Sequence, residues 1–205
     1  MDTPLTPPGR PREGRFRKRL LEVTLLAALV AVSAAAVRAH ARDDSPTSDE
    51  GIHLASGVEA LEDGSGWLNP EHPPLLKLAG ALAARPLRLA SPCSIRPCET
   101  ASPIDGYLRW FYGNAAPAHG IVAAGREPFP WVLALLVVAL HLGVRRLAGP
   151  VAGLLAAGLV ALDPGFVAHA AYVHTDVGAA LAFVGVVLLA HRAAVGTALA
   201  PWLAL

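Results

Sequence analysis

Charge is scarce in this 205-residue sequence: Asp, Glu, Lys and Arg make up 16% of it, against about 25% in an average soluble domain. So low a charge excludes a disordered chain, which is polar and highly charged. Neither sign is in surplus. Seventeen Lys and Arg against 16 Asp and Glu leave a net +1, without the basic excess of a nucleic-acid binder. Two cysteines are too few for a disulfide-built scaffold. Aromatics are sparse too, with five Phe, three Tyr and four Trp. What is abundant is Ala and Leu, and 54% of the residues are hydrophobic. Two classes remain: a multi-spanning membrane protein, or an unusually apolar helical domain.

The placement of the apolar residues separates the two. Runs cover 20–37, 129–144, 148–162 and 177–190, and a fifth begins near Thr197 and reaches Leu205. A spanning helix needs about 20 mainly apolar residues, with roughly 17 as the lower limit, which only the first run meets by itself. The runs are nevertheless apolar on every helical face, without the polar stripe of a surface helix. Gly and Ala recur inside them, as they do where membrane helices pack closely. The predicted fold class is therefore all-α, with multi-pass transmembrane helices and a large first loop outside the cytoplasm containing short amphipathic helices.

Charge placement predicts the threading. Arg10, Arg12, Arg15, Arg17, Lys18 and Arg19 precede the first run, Arg145 and Arg146 lie between the second and third, and His191 and Arg192 follow the fourth. Basic residues favour the cytoplasmic side, and all three groups agree on one topology in the plasma (inner) membrane. Residues 1–19 form a cytoplasmic basic tail, Pro- and Gly-rich and expected to be disordered. Residues 38–128 and 163–176 fall outside. The longer loop holds 11 of the 16 acidic residues and both cysteines. A competing reading takes the N-terminus as a cleaved signal peptide ending near Ala39-His40-Ala41, but the apolar run exceeds a usual signal core of about 7–15 residues.

Within the long loop, IHLASGVEALEDG after Ser48-Asp49-Glu50 predicts a short helix, capped by Ser48 or Asp49 and ended by Gly64. Pro73-Pro74 opens LLKLAGALAARPLRLA, since Pro suits a first helical turn. That segment is expected to lie in the membrane interface, with Lys77, Arg85 and Arg88 reaching headgroups. Cys93 and Cys98 bracket a Pro-rich turn, and outside the cytoplasm a local disulfide is the favoured reading.

Three groups of residues carry potential chemistry. Asp49-Glu50 with His53 gathers two carboxylates and an imidazole in one helical turn. Glu71-His72-Pro73-Pro74 with Lys77 joins an acid to two potential phosphate partners. His169, His174 and Asp176 fall where the third and fourth runs meet. On local grounds alone, Asp49-Glu50 also suits a helix N-terminus, His72 a turn, and Asp176 or Thr175 the cap of the fourth helix. Carboxylates near a phosphate could recruit a divalent ion, but no ligand spacing here demands one.

Taken in order, these pieces resemble a known family. The stretch DEGIHLASGVEALEDGSGWLNPEHPPLLKLAGAL is similar to the first outer loop of GT-C superfamily membrane glycosyltransferases, of the protein mannosyltransferase and aminoarabinose-transferase-like kind. WFYGNAAPAHGIVAAGREPF and LDPGFVAHAAYVHTDVGAALAF continue the likeness, which covers about residues 20–192. It implies the N-terminal part of a GT-C-like fold and transfer of a sugar from a polyprenyl-phosphate donor to a protein, lipid or glycan acceptor. It also implies that Asp49 is the general base, with Glu50, His53, His72, Lys77, Arg126 and Asp176 binding substrate. An acceptor hydroxyl is a weak nucleophile until a carboxylate takes its proton. A leaving lipid phosphate needs cationic donors, which the resemblance places on Arg126, Lys77 and His72. Family members carry more membrane helices, so the chain is expected to be a piece of a longer enzyme, inactive alone. Two other classes compete: a non-catalytic membrane subunit binding a lipid carrier or partner, and a transporter segment. The latter predicts ionisable residues along the runs, where only Glu22 and His141 occur.

Overall fold

A computed structural model describes residues 12–62, 64, 68–92 and 102–195, and among them the only regular structure is helical. The first helix, α1 (Arg12–Asp43), runs 32 residues. At 1.5 Å per residue this is roughly 48 Å, well beyond the 20–37 core expected from hydropathy: within the helix the flanks hold no Pro, and their one Gly, Gly14, does not interrupt it. Next come α2 (Ser48–Glu62), α3 (Pro74–Ala84) with a 3₁₀ turn at Arg85–Leu87, α4 (Pro103–Gly113) and α5 (Ala118–Arg126). The chain then enters α6 (Phe129–Ala148), α7 (Pro150–Ala161), α8 (Pro164–His169) and α9 (Asp176–Ala194).

Three helical stretches, Gly14–Asp43, Ala118–Ala148 and Asp176–Ala194, are long and apolar enough to cross a membrane. Their outward side chains include Leu25, Val32, Leu135, Phe183, Val186 and Leu189, an apolar surface compatible with a membrane. The third expected span departs from the reading of the sequence. Its helix, α7, has only 12 residues, roughly 18 Å, against about 30 Å of hydrocarbon. Gly149 at φ 89° and Pro150 start it late. It ends at Ala161 because Asp163-Pro164 begins a new helix, with the Asp163 carboxylate accepting from the Phe166 N–H at 3.0 Å. Arg145 and Arg146, expected between the second and third spans, lie in the last turn of α6. The fifth run, 197–205, and Cys93 with Cys98 lie outside the described residues.

Two contact networks fix which helix ends share a side. Glu22 of α1 meets His141 (2.9 Å) and Arg145 of α6, while the carbonyls of Ala41 and Asp44 accept from Arg126 at 2.7 and 3.0 Å. Hence α1 and α6 are antiparallel. Arg126, ahead of α6, and Val173, ahead of α9, both bond Glu50, while Gly143 abuts Leu188, where a Cβ would stand 2.5 Å from a Leu188 methyl, so α6 and α9 run in the same direction. The basic groups at 15–19, 145–146 and 191–192 therefore share one end of the bundle, and α2 lies at the other.

Two apolar cores follow. One, inside the bundle, contains Val37, Leu133, Leu136, Val137, Ala157 and Ala171. The second, beneath α2, contains Leu54, Leu68, Trp110, Phe111, Ile121 and Val173. Contact between α2 and α3 is backbone-close: a Cβ on Gly57 would lie 2.3 Å from the Lys77 carbonyl oxygen. Only glycine permits that approach.

Candidate functional site

The adjacent acids Asp49 and Glu50 separate into two environments. Thr47-Ser48-Asp49-Glu50 is a Thr-x-x-Glu helix start, and Glu50 Oε2 accepts from the Thr47 N–H at 3.0 Å and its hydroxyl at 3.2 Å, half of a capping box. Glu50 is wholly buried. Its Oε1 accepts from the Val173 N–H at 3.0 Å. Asp49, one position earlier on the helix, stays open, with its side chain 63% exposed.

Arg126 closes on Glu50. Its Nε and Nη2 each donate to a different Glu50 oxygen at 2.7 Å, the bidentate geometry that a guanidinium favours. The remaining donors reach the carbonyls of Ala41, Asp44 and Ser45 at 2.7, 3.0 and 3.2 Å. A guanidinium has five N–H donors, and this one has placed all of them. The sequence-based role for Arg126, a phosphate ligand, is thus not the one its contacts describe: it ties α5 to the end of α1 and the start of α2. Tyr172 packs beneath it, 5.2 Å from the ring centre to the guanidinium carbon. The Tyr172 hydroxyl donates to Asp44 at 2.5 Å, and that hydrogen bond, aided by burial, raises its pKa above the usual phenol value.

Lys77 also departs from expectation. It does not reach outward to headgroups but is buried. Its ammonium donates to the Asn69 carbonyl at 2.5 Å, the Asn69 side-chain oxygen at 3.2 Å and Ser56 at 3.5 Å. Burial lowers its pKa, partly opposed by the charge of Glu59. Asn69 supplies the neutral acceptors, and it also holds His72, whose Nδ1 lies 3.1 Å from the same side-chain oxygen.

Four histidines form a row from just before α3 to the end of α8. His72 and His53 rings stand 4.9 Å apart, His53 and His174 5.5 Å, His174 and His169 6.1 Å. His53 donates from Nδ1 to the Val173 carbonyl at 2.8 Å. Its pKa is lowered by burial foremost and by neighbouring His174 and His72, against the opposing Val173 bond and Asp49, which favours the neutral imidazole. At the open end of the row, Asp176 is 50% exposed and stands between two imidazoles: Oδ2 is 2.9 Å from His169 Nδ1, Oδ1 3.1 Å from His174 Nδ1. His174 Nε2 lies 3.7 Å from Asp49 Oδ2. Asp49 and Asp176, 127 positions apart in the sequence, thus meet through one imidazole.

Two open cavities flank this end. One, of about 280 Å³, is lined by Asp163, Gly165, Phe166, His169, Asp176 and Val177. The other, of about 370 Å³, lies between α1 and α5, where Arg38, Arg42 and His119 line it beside Asp44 and Glu127.

Of the residues singled out in the sequence, the structure gathers Asp49, His53, His72 and Asp176 along one row, and sets Glu50, Arg126 and Lys77 underneath as its support. Thr47, Asp44, Asn69 and Tyr172 were not anticipated. Thr47 alone left a readable signal, the Thr-x-x-Glu spacing; the others act through partners distant in sequence. No protein-family model, curated protein or solved structure matches this chain.

Proposed function

We propose that the chain is the N-terminal part of a membrane glycosyltransferase that moves a sugar from a polyprenyl-phosphate donor to a protein, lipid or glycan acceptor. The observation that carries this reading is the division of the acidic pair. Glu50 is consumed by Arg126, Thr47 and Val173, which leaves Asp49 as the carboxylate with room for a substrate hydroxyl. Its backbone is anchored by the neighbour that holds α2 in place. In this reading Asp49 takes the acceptor proton as the sugar bond forms, and the sugar leaves its phosphate in a single displacement.

The leaving phosphate requires cations. Arg126 and Lys77 are engaged elsewhere, so the role passes to Arg38 and Arg42, which line the larger cavity with His119. Arg38 also stacks on Trp131, 5.0 Å from the ring centre, and Trp is enriched at membrane–water interfaces. The end bearing α2 would then face away from the cytoplasm, with the N-terminus inside.

The test is Asp49→Asn in the full reading frame that encodes this chain, assayed for sugar transfer from a polyprenyl-phosphate donor. Loss of a positioned base lowers the rate by about 10²–10⁴-fold while the protein still inserts and folds. Transfer at the wild-type rate would refute the assignment.

A further inference from the structure

We propose that His169, His174 and Asp176 form a binding site for one divalent transition metal ion, zinc by the chemistry of its ligands. Each residue offers one ligand atom, and the three atoms lie within 4.8 Å of one another. Ligands of tetrahedral zinc, at about 2.0–2.2 Å from the ion, lie somewhat closer together than that. A small rotation of the exposed His169 and Asp176 side chains supplies the difference. Two imidazoles and one carboxylate suit zinc, and three protein ligands with an open position characterise sites where zinc meets an exchangeable ligand.

The scaffold holds these residues in advance of any ion. His169 ends α8, which Asp163 caps, and Asp176 begins α9. Between them Val173 is fixed from both sides, its N–H on Glu50 and its carbonyl on His53. His174 follows directly, its Nδ1 on the Asp176 side and its Nε2 facing Asp49 at 3.7 Å. With the metal on Nδ1, Nε2 is left to face Asp49, and closing the 3.7 Å gap to a hydrogen bond would complete the carboxylate–histidine–metal relay that orients metal-bound imidazoles and raises their basicity. His169 and Asp176 also line the 280 Å³ cavity, which gives the open coordination position access to water or an anionic oxygen. The charge is suitable as well: Asp176 and Asp49 bring two negative charges to a dication.

This site does not rest on the glycosyltransferase reading, because its test reads metal and not sugar transfer. The 205-residue chain in detergent, stripped with a chelator, is titrated with Co(II) and followed by its visible ligand-field absorption, then with Zn(II) in competition. One equivalent per chain is expected, with the strong absorption of four- or five-coordinate cobalt that zinc abolishes. His169→Ala, His174→Ala and Asp176→Asn each weaken binding by more than tenfold. Asp49→Asn weakens it by roughly tenfold, in line with loss of an outer carboxylate. His191→Ala, at the opposite end of the bundle, leaves it unchanged. If the His174 variant fails to fold, the exposed His169→Gln decides the matter. Absence of stoichiometric binding, or binding indifferent to the three ligand variants, would overturn the site.

Discussion

Glu50 and Arg126, 76 residues apart, share two 2.7 Å hydrogen bonds with both side chains almost entirely out of solvent. Removing one partner leaves a buried charge uncompensated, which costs about 3–5 kcal/mol. Arg126→Ala and Glu50→Ala are each expected to lower stability by that amount in detergent unfolding. The double variant should be far less harmful than the sum, since neither charge then remains stranded. Additive losses would show that the two residues do not act as a pair.

Tyr172 and Asp44 give the pH dependence. The Tyr172 pKa is raised in the folded chain, first by its hydrogen bond to Asp44. A raised pKa means that the folded state holds the proton more tightly. The stabilisation is therefore complete below pH of about 10, the phenol's unfolded value, and declines as pH rises through the folded pKa. Tyr172→Phe is expected to cost about 1–2 kcal/mol at neutral pH and to flatten the alkaline loss of stability, as followed by unfolding between neutral and alkaline pH. A variant that keeps the wild-type alkaline slope would contradict this.

Arg42, exposed at the mouth of the larger cavity, is expected to meet the donor phosphate. In the proposed reaction Arg42→Ala raises KM for the polyprenyl-phosphate donor by roughly tenfold, the loss of about 1.4 kcal/mol of charge-assisted binding. Stability should change little, because the side chain is in solvent. Donor titrations of the variant and wild type at fixed acceptor measure it; an unchanged KM moves the phosphate elsewhere.

Much of this architecture was legible in the sequence, for local reasons. The start of α2 was read to within a residue, with Ser48 or Asp49 expected as the cap where Thr47 pairs with Glu50 instead; the start of α3 follows from Pro73-Pro74, and the meeting of Asp49 with Asp176 at one end from the alternation of basic and acidic segments. The side chains beneath the row were not legible. Lys77 sits in a segment that reads as interfacial, yet Gly57 lets α3 approach so closely that the lysine turns inward onto Asn69. Arg126 precedes the second apolar run as a phosphate ligand would, but its partners lie on α1, α2 and the segment joining them. The shortness of α7 was written in Gly149-Pro150 and Asp163-Pro164, and was masked by the apolar content between them.

The account depends most on Asp49 and Asp176 standing together on the non-cytoplasmic side. Single-cysteine chains, Asp49→Cys and Asp176→Cys on a background with Cys93 and Cys98 replaced by Ser, can be treated in intact cells with a membrane-impermeant thiol reagent, with a cysteine at exposed Arg17 as the inside reference. Labelling of both positions 49 and 176 without permeabilisation, and of position 17 only after it, is the expected result. Protection of either aspartate position until the membrane is opened would contradict the account.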